Sequence, residues 1–373
     1  MKKAWIGLAL LGLMSSSCMD ESWQESEALN LETEGVFIVN SGNFQSSTSS
    51  LSYYDKSSQT VYNNVISRAN GLTNWGDVAQ SMVIRNGIGY VVINNSGKVL
   101  MIDADDAQYL GSIEQLQSPR YMHFISDEKA YISDLYGRAI NIVNPEGAIL
   151  SGESNDTTSL NMQVNIGQIS VNNGGSYFQH STEKMLQWGD WVFVACWMRD
   201  NKVLVIDSNS DQVIDSITVA AQPNSLQIDK YNKLWVLCDG GYDGNPYAYE
   251  KPKLFRINLQ SLTIEDSLSF DLDDNPQELC INASQDTLYF LNTDLYRMPV
   301  EELTPTKHIL SSSEYSGYGR GFYALALDPA NNDIYIADAI DNSQPGYVYR
   351  FSAQALAIDT FSVGVNPVSF CFK

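Results

Sequence analysis

The sequence predicts an all-β fold: a seven-bladed β-propeller with four-stranded blades, its ring closed by a C-terminal strand that pairs into the N-terminal blade. Three observations carry this. One strand phrase recurs seven times along the chain. A strand centred on an aromatic follows each of the first six copies. The seventh copy has no partners after it, while three strands that lack a first member stand near residue 35.

The phrase is clearest over residues 203–228, VLVIDSNSDQVIDSITVAAQPNSLQI. Val203 to Ile206 is a β-branched run, Asp207 to Asp211 a polar turn, and Val213 to Val219 alternates apolar with polar. Gln222-Pro223-Asn224 breaks the pattern and Leu226 opens the next strand. Such a run reads as strand, tight turn, strand, crossover and strand. Copies of the strand after the crossover centre on Met82, Met122, Met185, Leu226, Leu279, Leu325 and Phe370. Their steps of roughly 40–60 residues suit propeller blades. The aromatics that follow are Tyr90, Tyr131, Phe193, Trp235, Tyr289 and Tyr335. GVFIVN, SLSYY and TVYNNVI, from Gly35 onward, supply the strands the seventh copy lacks. Joining the two ends leaves no sheet edge open. Two sandwiches with a linker would leave the seventh copy unexplained. Ile149 to Ser176 reads as an insertion in blade three.

KVLVIDSNSDQVIDSITV with its following Pro-Asn loop resembles the YVTN repeat of YncE-like seven-bladed propellers, over about residues 35–373. The resemblance implies the fold and no particular chemistry.

The N-terminus reads differently. Lys2 and Lys3 precede an apolar run from Ala4 to Met14, and three serines lead to Cys18. This is the layout of a secretory signal, and the run is too short to span a membrane. Small residues directly before a cysteine resemble the lipobox of bacterial lipoproteins, which implies a signal peptide over 1–17 and lipidation at Cys18. Ser15 departs from the usual leucine; an ordinary signal with an incidental cysteine is the alternative. Asp20, Glu21 and Glu25 resemble the acidic tag that sends such lipoproteins to the outer face of the outer membrane. Residues 18–34 are expected to form an acidic, flexible tether.

The formal charge of −22 argues against nucleic acid as a partner. It also argues against adsorption to anionic lipid, so membrane attachment would come only from the N-terminal lipid. A monomer is expected. The cysteines other than Cys18 read as buried small hydrophobes. Cys196 and Cys238 hold equivalent places in neighbouring blades, so a disulfide between them is conceivable. None has metal-ligand spacing, and no metal centre or cofactor is expected. Asp239 to Asn245 superficially suggests calcium but lacks the ligand order of a calcium loop. No nucleophile elbow or phosphate loop is present, so no catalytic residue is expected and the chain reads as a non-enzyme.

In a propeller the loops leading into the innermost strands and the loops after the second strands share one face, around the channel mouth. Here those loops carry Phe44, Trp75, Arg120, Tyr136, Arg138, Trp197, Arg199, Asn224, Tyr242, Gln277, Tyr296, Arg320 and Tyr323. Aromatics offer rigid apolar area, Asn and Gln match amides, and Arg suits phosphate or carboxylate. The opposite face, at the turns DADDAQ, DSNSDQ and DKSSQ, is small and acidic. The asymmetry marks the first face as the binding face.

An acidic surface lipoprotein with this repeat and these loops resembles the BtuG-type corrinoid-binding lipoproteins of Bacteroides. The resemblance implies cobalamin as ligand, not cofactor, captured at the cell surface. It implies a TonB-dependent outer-membrane corrinoid transporter as partner. His180 could ligate cobalt, although amide and aromatic contacts suffice. A glycan-binding surface lipoprotein and a protein-interaction scaffold of the envelope stay open.

Overall fold

The computed structural model describes residues 26–148, 164–172, 180–244, 249–304, 308–317 and 321–373. Its strands form seven four-stranded antiparallel sheets. The innermost strands are Ala79–Arg85, Pro119–Ser126, Thr182–Trp188, Pro223–Ile228, Gln277–Ile281, Ala324–Leu327 and Pro367–Phe372, one at each place where the repeat puts it. The last of them pairs with Gly35–Asn40, setting Val36 against Phe372 and Ile38 against Phe370. Blade one is thus made from both ends of the chain, as expected.

Burial explains the sequence of each strand type. Second strands such as WVFVAC and KLWVLC are buried along both faces, between neighbouring blades, so they are apolar without alternation. Tyr131, Phe193, Trp235 and Tyr335 at their centres are wholly buried. Outer strands face solvent: Gln212–Thr218 and Thr263–Ser269 are almost entirely exposed and carry Asp215, Glu265 and Asp266. Charge on an edge strand blocks further pairing. The core is divided among the blade interfaces as seven apolar clusters.

The acidic turns of the far face have a local cause. Asp55, Asp103, Asp207 and Asn258 end their third strands, and each side chain accepts a backbone N–H two residues on. Four residues after each, Gln59, Ala107, Asp211 and Leu262 hold positive φ, from 54° to 61°. Much of the acid on this face therefore caps turns.

Two expectations change. Within the expected insertion 149–176, Asn165–Ser170 is the outer strand of blade three, with Ile140 opposite Ile169. The remainder of that stretch is largely outside the described residues, as are Cys18 and the signal segment. The tether does not extend to residue 34. Glu27 bonds Arg68 at 2.8 Å, Leu29 and Leu31 are buried, and the Leu31 N–H donates to Asp105 O at 2.7 Å. The Lys373 ammonium donates to the Leu31 carbonyl and pairs with Asp105, so it pins the segment to the far face. The four described cysteines are free thiols, in keeping with their reading as small hydrophobes, and the conceivable Cys196–Cys238 disulfide does not form. Among the described residues no helix is long and apolar enough to cross a membrane.

Candidate functional site

One backbone bond recurs on the mouth face and builds it. After the second strand, the N–H of Asn94, Leu135, Trp197 and Asp239 closes a turn against the carbonyl of Val78, Ser118, Ser181 and Gln222 respectively, and in blade seven the N–H of Tyr323, just before the innermost strand, bonds the carbonyl of Ala337 in the second. In the first four cases this ties a second-strand loop to the start of its innermost strand. The side chains that follow are held on a fixed rim around the channel.

At the centre lies a hollow of about 280 Å³ lined by Gln80, Arg120, Tyr121, Glu183, Lys184, Asn224, Gln277, Glu278 and Tyr323, with Trp197 and Asp239 on its edge. Its charges are paired across blades. Arg120 Nε donates to both oxygens of Glu183, at 2.8 and 3.0 Å, and Nη1 to Gln80 Oε1 at 2.7 Å. Lys184 meets Glu278 at 3.0 Å, joining blade four to blade six. Burial pushes the Glu183 carboxyl upward, and Arg120 beside it pulls it back. Burial acts against the Lys184 charge, but Glu278 outweighs it and raises the ammonium. Arg120 and Lys184 are each matched by a glutamate, and Asp239 adds a further carboxyl, so the hollow offers amides, hydroxyls and aromatic rings beside paired charges.

Trp197 and Asp239 also line a groove of about 620 Å³ beside the hollow. Its walls are Met198, Arg199, Tyr242, Tyr249 and Leu272, with Asp243, Asp273, Asp274 and Asn275. Asp239 holds the junction. One carboxylate oxygen accepts Trp197 Nε1–H at 2.8 Å; the other accepts the Gly241 N–H at 2.9 Å. Burial pushes this carboxyl up, and those bonds oppose the shift. Gly240 makes the adjoining loop possible: its φ is +78°, and a Cβ would stand 2.1 Å from Glu250 O. The loop folds back so that Gly241 bridges Tyr249, which brings two tyrosines to one wall.

The structure gathers seven of the expected residues. Arg120, Asn224, Gln277 and Tyr323 line the hollow, Trp197 the junction, Arg199 and Tyr242 the groove together with it. Tyr136 is half exposed and close enough to Arg120 to act on its charge. Phe44 is exposed on the same face but lines neither cavity. Arg138 instead lines a polar recess with Gln115, Gln117 and Gln168 at the edge of blades two and three.

Two expected residues are built into the body. Trp75 is buried in the core between blades one and two, and its Nε1–H has no partner there. Tyr296 lies within the third strand of blade six, stacked on Phe290 at 5.5 Å, because the preceding turn has shrunk to Thr293. Arg320 lies outside the described residues. Sequence reasoning missed Tyr121, Glu183, Lys184 and Glu278. Their only signal was a polar residue at the start of a strand that otherwise buries itself.

These features define a β-propeller with a preformed mouth and side groove, a class suited to holding a ligand or a partner. The chain belongs to the DUF5074 family, a domain of unknown function whose profile matches residues 34–363. No curated protein matches it. Solved structures share the architecture. A quinonprotein alcohol dehydrogenase-like protein of Bacteroides thetaiotaomicron is 12% identical, with TM-score 0.64, over 92% of this chain and 79% of that one. A Lactobacillus plantarum protein is 13% identical, with TM-score 0.65, over 91% and 99%. The periplasmic gluconolactonase of Pseudomonas aeruginosa is 12% identical, with TM-score 0.64, over 91% and 99%. At such identity the likeness is one of fold and does not carry an activity.

Proposed function

We propose that this chain is a binding protein of the cell envelope that captures a corrinoid such as cobalamin on its mouth face. The observation that carries the reading is the junction at Trp197, where an amide-lined hollow with paired charges opens into an aromatic groove. A corrin ring presents peripheral amides, apolar faces and a nucleotide phosphate. Gln80, Asn224 and Gln277 would meet the amides, since each can both donate and accept. Trp197, Tyr242 and Tyr249 would cover apolar surface. Arg199, on the groove wall, would meet the phosphate. In this proposal Cys18 carries the lipid that fixes the protein to the outer membrane, facing outward. The cargo would then pass to a TonB-dependent outer-membrane transporter.

The test is isothermal titration of residues 19–373 with cyanocobalamin, followed by visible absorption. Saturable one-to-one binding with a shifted spectrum supports the proposal. Neither heat nor shift overturns it.

The groove favours a second reading. Three exposed or half-exposed aromatics beside Asp243, Asp273 and Asp274 offer stacking surfaces flanked by hydroxyl acceptors, an arrangement that suits sugars. Saturable binding of oligosaccharides, with no response to cyanocobalamin, would select it. Binding of neither, with co-purification of a membrane barrel, would select a scaffold.

A further inference from the structure

Blade four carries a donor set that the ligand face does not use. His180 precedes its innermost strand, Cys196 ends its second strand, and Asp200 closes the loop that follows. One nitrogen, one sulfur and one oxygen from these residues lie within 4.8 Å of one another. His180 Nδ1 and Asp200 Oδ2 are 2.6 Å apart. From this geometry we propose that His180, Cys196 and Asp200 form a binding site for a single zinc-class transition-metal ion.

Donor chemistry selects the class. A thiolate excludes calcium and magnesium, which take oxygen ligands, whereas Cys, His and Asp together suit zinc or cobalt(II). A tetrahedral ion with bonds of roughly 2.0–2.3 Å needs donors roughly 3.5 Å apart. The His180–Asp200 pair would open by about 1 Å, within the range of small χ rotations. The two segments are already held. His180 N–H donates to Val171 O at 3.0 Å, and Gln222 N–H to Asp200 O at 2.8 Å. Cys196 is wholly buried, but His180 and Asp200 keep side-chain exposures of 18% and 11%. The ion would approach from their side, and water would take the fourth position.

Blade five supplies an internal control. Cys238 ends its second strand opposite Pro223, as Cys196 does opposite Thr182. Two residues before Pro223 stands Ala221, and four after Cys238 stands Tyr242, so this cysteine has neither companion donor. The thiol alone is a core residue; blade four adds the other two ligands. Cys196 and Asp200 also bracket Trp197, Met198 and Arg199, three residues of the groove wall. A bound ion would therefore staple both ends of that loop.

The experiment is a cobalt(II) titration of the chelator-treated, reduced chain, followed by absorption. The expected result is a one-to-one, thiolate-to-cobalt charge-transfer band with intense tetrahedral visible bands. Zinc should displace both. Cys196→Ser should abolish the charge-transfer band. His180→Ala and Asp200→Asn should each weaken apparent affinity at least about tenfold, and Cys238→Ser should leave it unchanged. If Cys196→Ser does not fold, the two partly exposed variants decide. A weak octahedral spectrum from the native chain, or a band that keeps its affinity in both His180→Ala and Asp200→Asn, overturns the proposal. Cyanocobalamin plays no part in this readout, so it stands or falls apart from the corrinoid reading.

Discussion

Arg120→Met removes the cation from a nearly buried pair and leaves Glu183 facing Gln80 without its partner. Side-chain exposures are 16% for Arg120 and 5% for Glu183, with contacts of 2.8 Å and 3.0 Å. Breaking such a pair from one side costs about 3–5 kcal/mol, because a charge remains in a site that water barely reaches. With an unfolding entropy near 2.1 cal/mol/K per residue over roughly 320 residues, the midpoint should fall by about 4–8 °C at neutral pH. Burial already pushes the Glu183 carboxyl up, and losing Arg120 raises it further. A carboxyl raised above its unfolded value of about 4.3 contributes stability that is complete below that pH. That contribution is lost as pH rises through the folded-state value. The deficit of Arg120→Met should therefore be small near pH 5 and grow toward pH 8. Thermal unfolding by circular dichroism at both pH values measures it. Adding Glu183→Gln should recover much of the loss at pH 8. An equal drop at both pH values, or no drop at either, would refute the account of the hollow as a paired-charge site.

Trp197→Ala and Arg199→Ala should each weaken cyanocobalamin binding about tenfold or more, with thermal midpoints within a few degrees of the native chain, since both lie beyond a strand end; unchanged affinity in both would move the site off this loop. Trp75→Phe should change stability by only about 1 kcal/mol, because it deletes a buried N–H that has no acceptor along with part of a packed ring, and it should leave binding untouched. A loss of affinity in Trp75→Phe would return Trp75 to the ligand face. At Asp55, burial raises the carboxyl, but hydrogen bonds from Ser57 and Ser58 outweigh it and hold the group at about 2. Its contribution is present above about pH 4 and lost as pH falls toward 2. Asp55→Ala should thus destabilise the chain at pH 7 and converge with it in acid titration; parallel acid curves would contradict that.

The ring was legible because each blade repeats the same physical problem. A second strand squeezed between two neighbours must be apolar on both faces, and Tyr131, Phe193 and Trp235 mark that position whatever their loops do. The far-face turns were legible from Asp and Asn side chains that bond their own backbone. The site was half legible. Loop placement found Arg120, Trp197, Asn224 and Gln277, but the charge pairs among them are remote in sequence: Glu183 is 63 positions from Arg120, and the missed pair Lys184 and Glu278 is 94 apart. Nothing in a strand's own pattern announces a contact across the channel. Tyr296 was misplaced because blade six turns at a single residue, Thr293, with φ of 62°. The buried roles of Leu29 and Leu31 were hidden by their acidic neighbours. His180, Cys196 and Asp200 matched no spacing rule, since a crossover and a strand bring them together.

Closure by the terminal strand also sets the order of events during synthesis. Gly35–Asn40 is among the first strands made, yet its second neighbour, Pro367–Phe372, is among the last. The Lys373 latch onto Leu31 spans 342 positions. Contacts this distant form slowly, and until they form the nascent chain carries a bare apolar edge. A chain cut short of residue 367 keeps that edge permanently. It would be completed most readily by the corresponding strand of another molecule, so truncation products of this protein should appear as swapped oligomers or aggregates rather than as open rings.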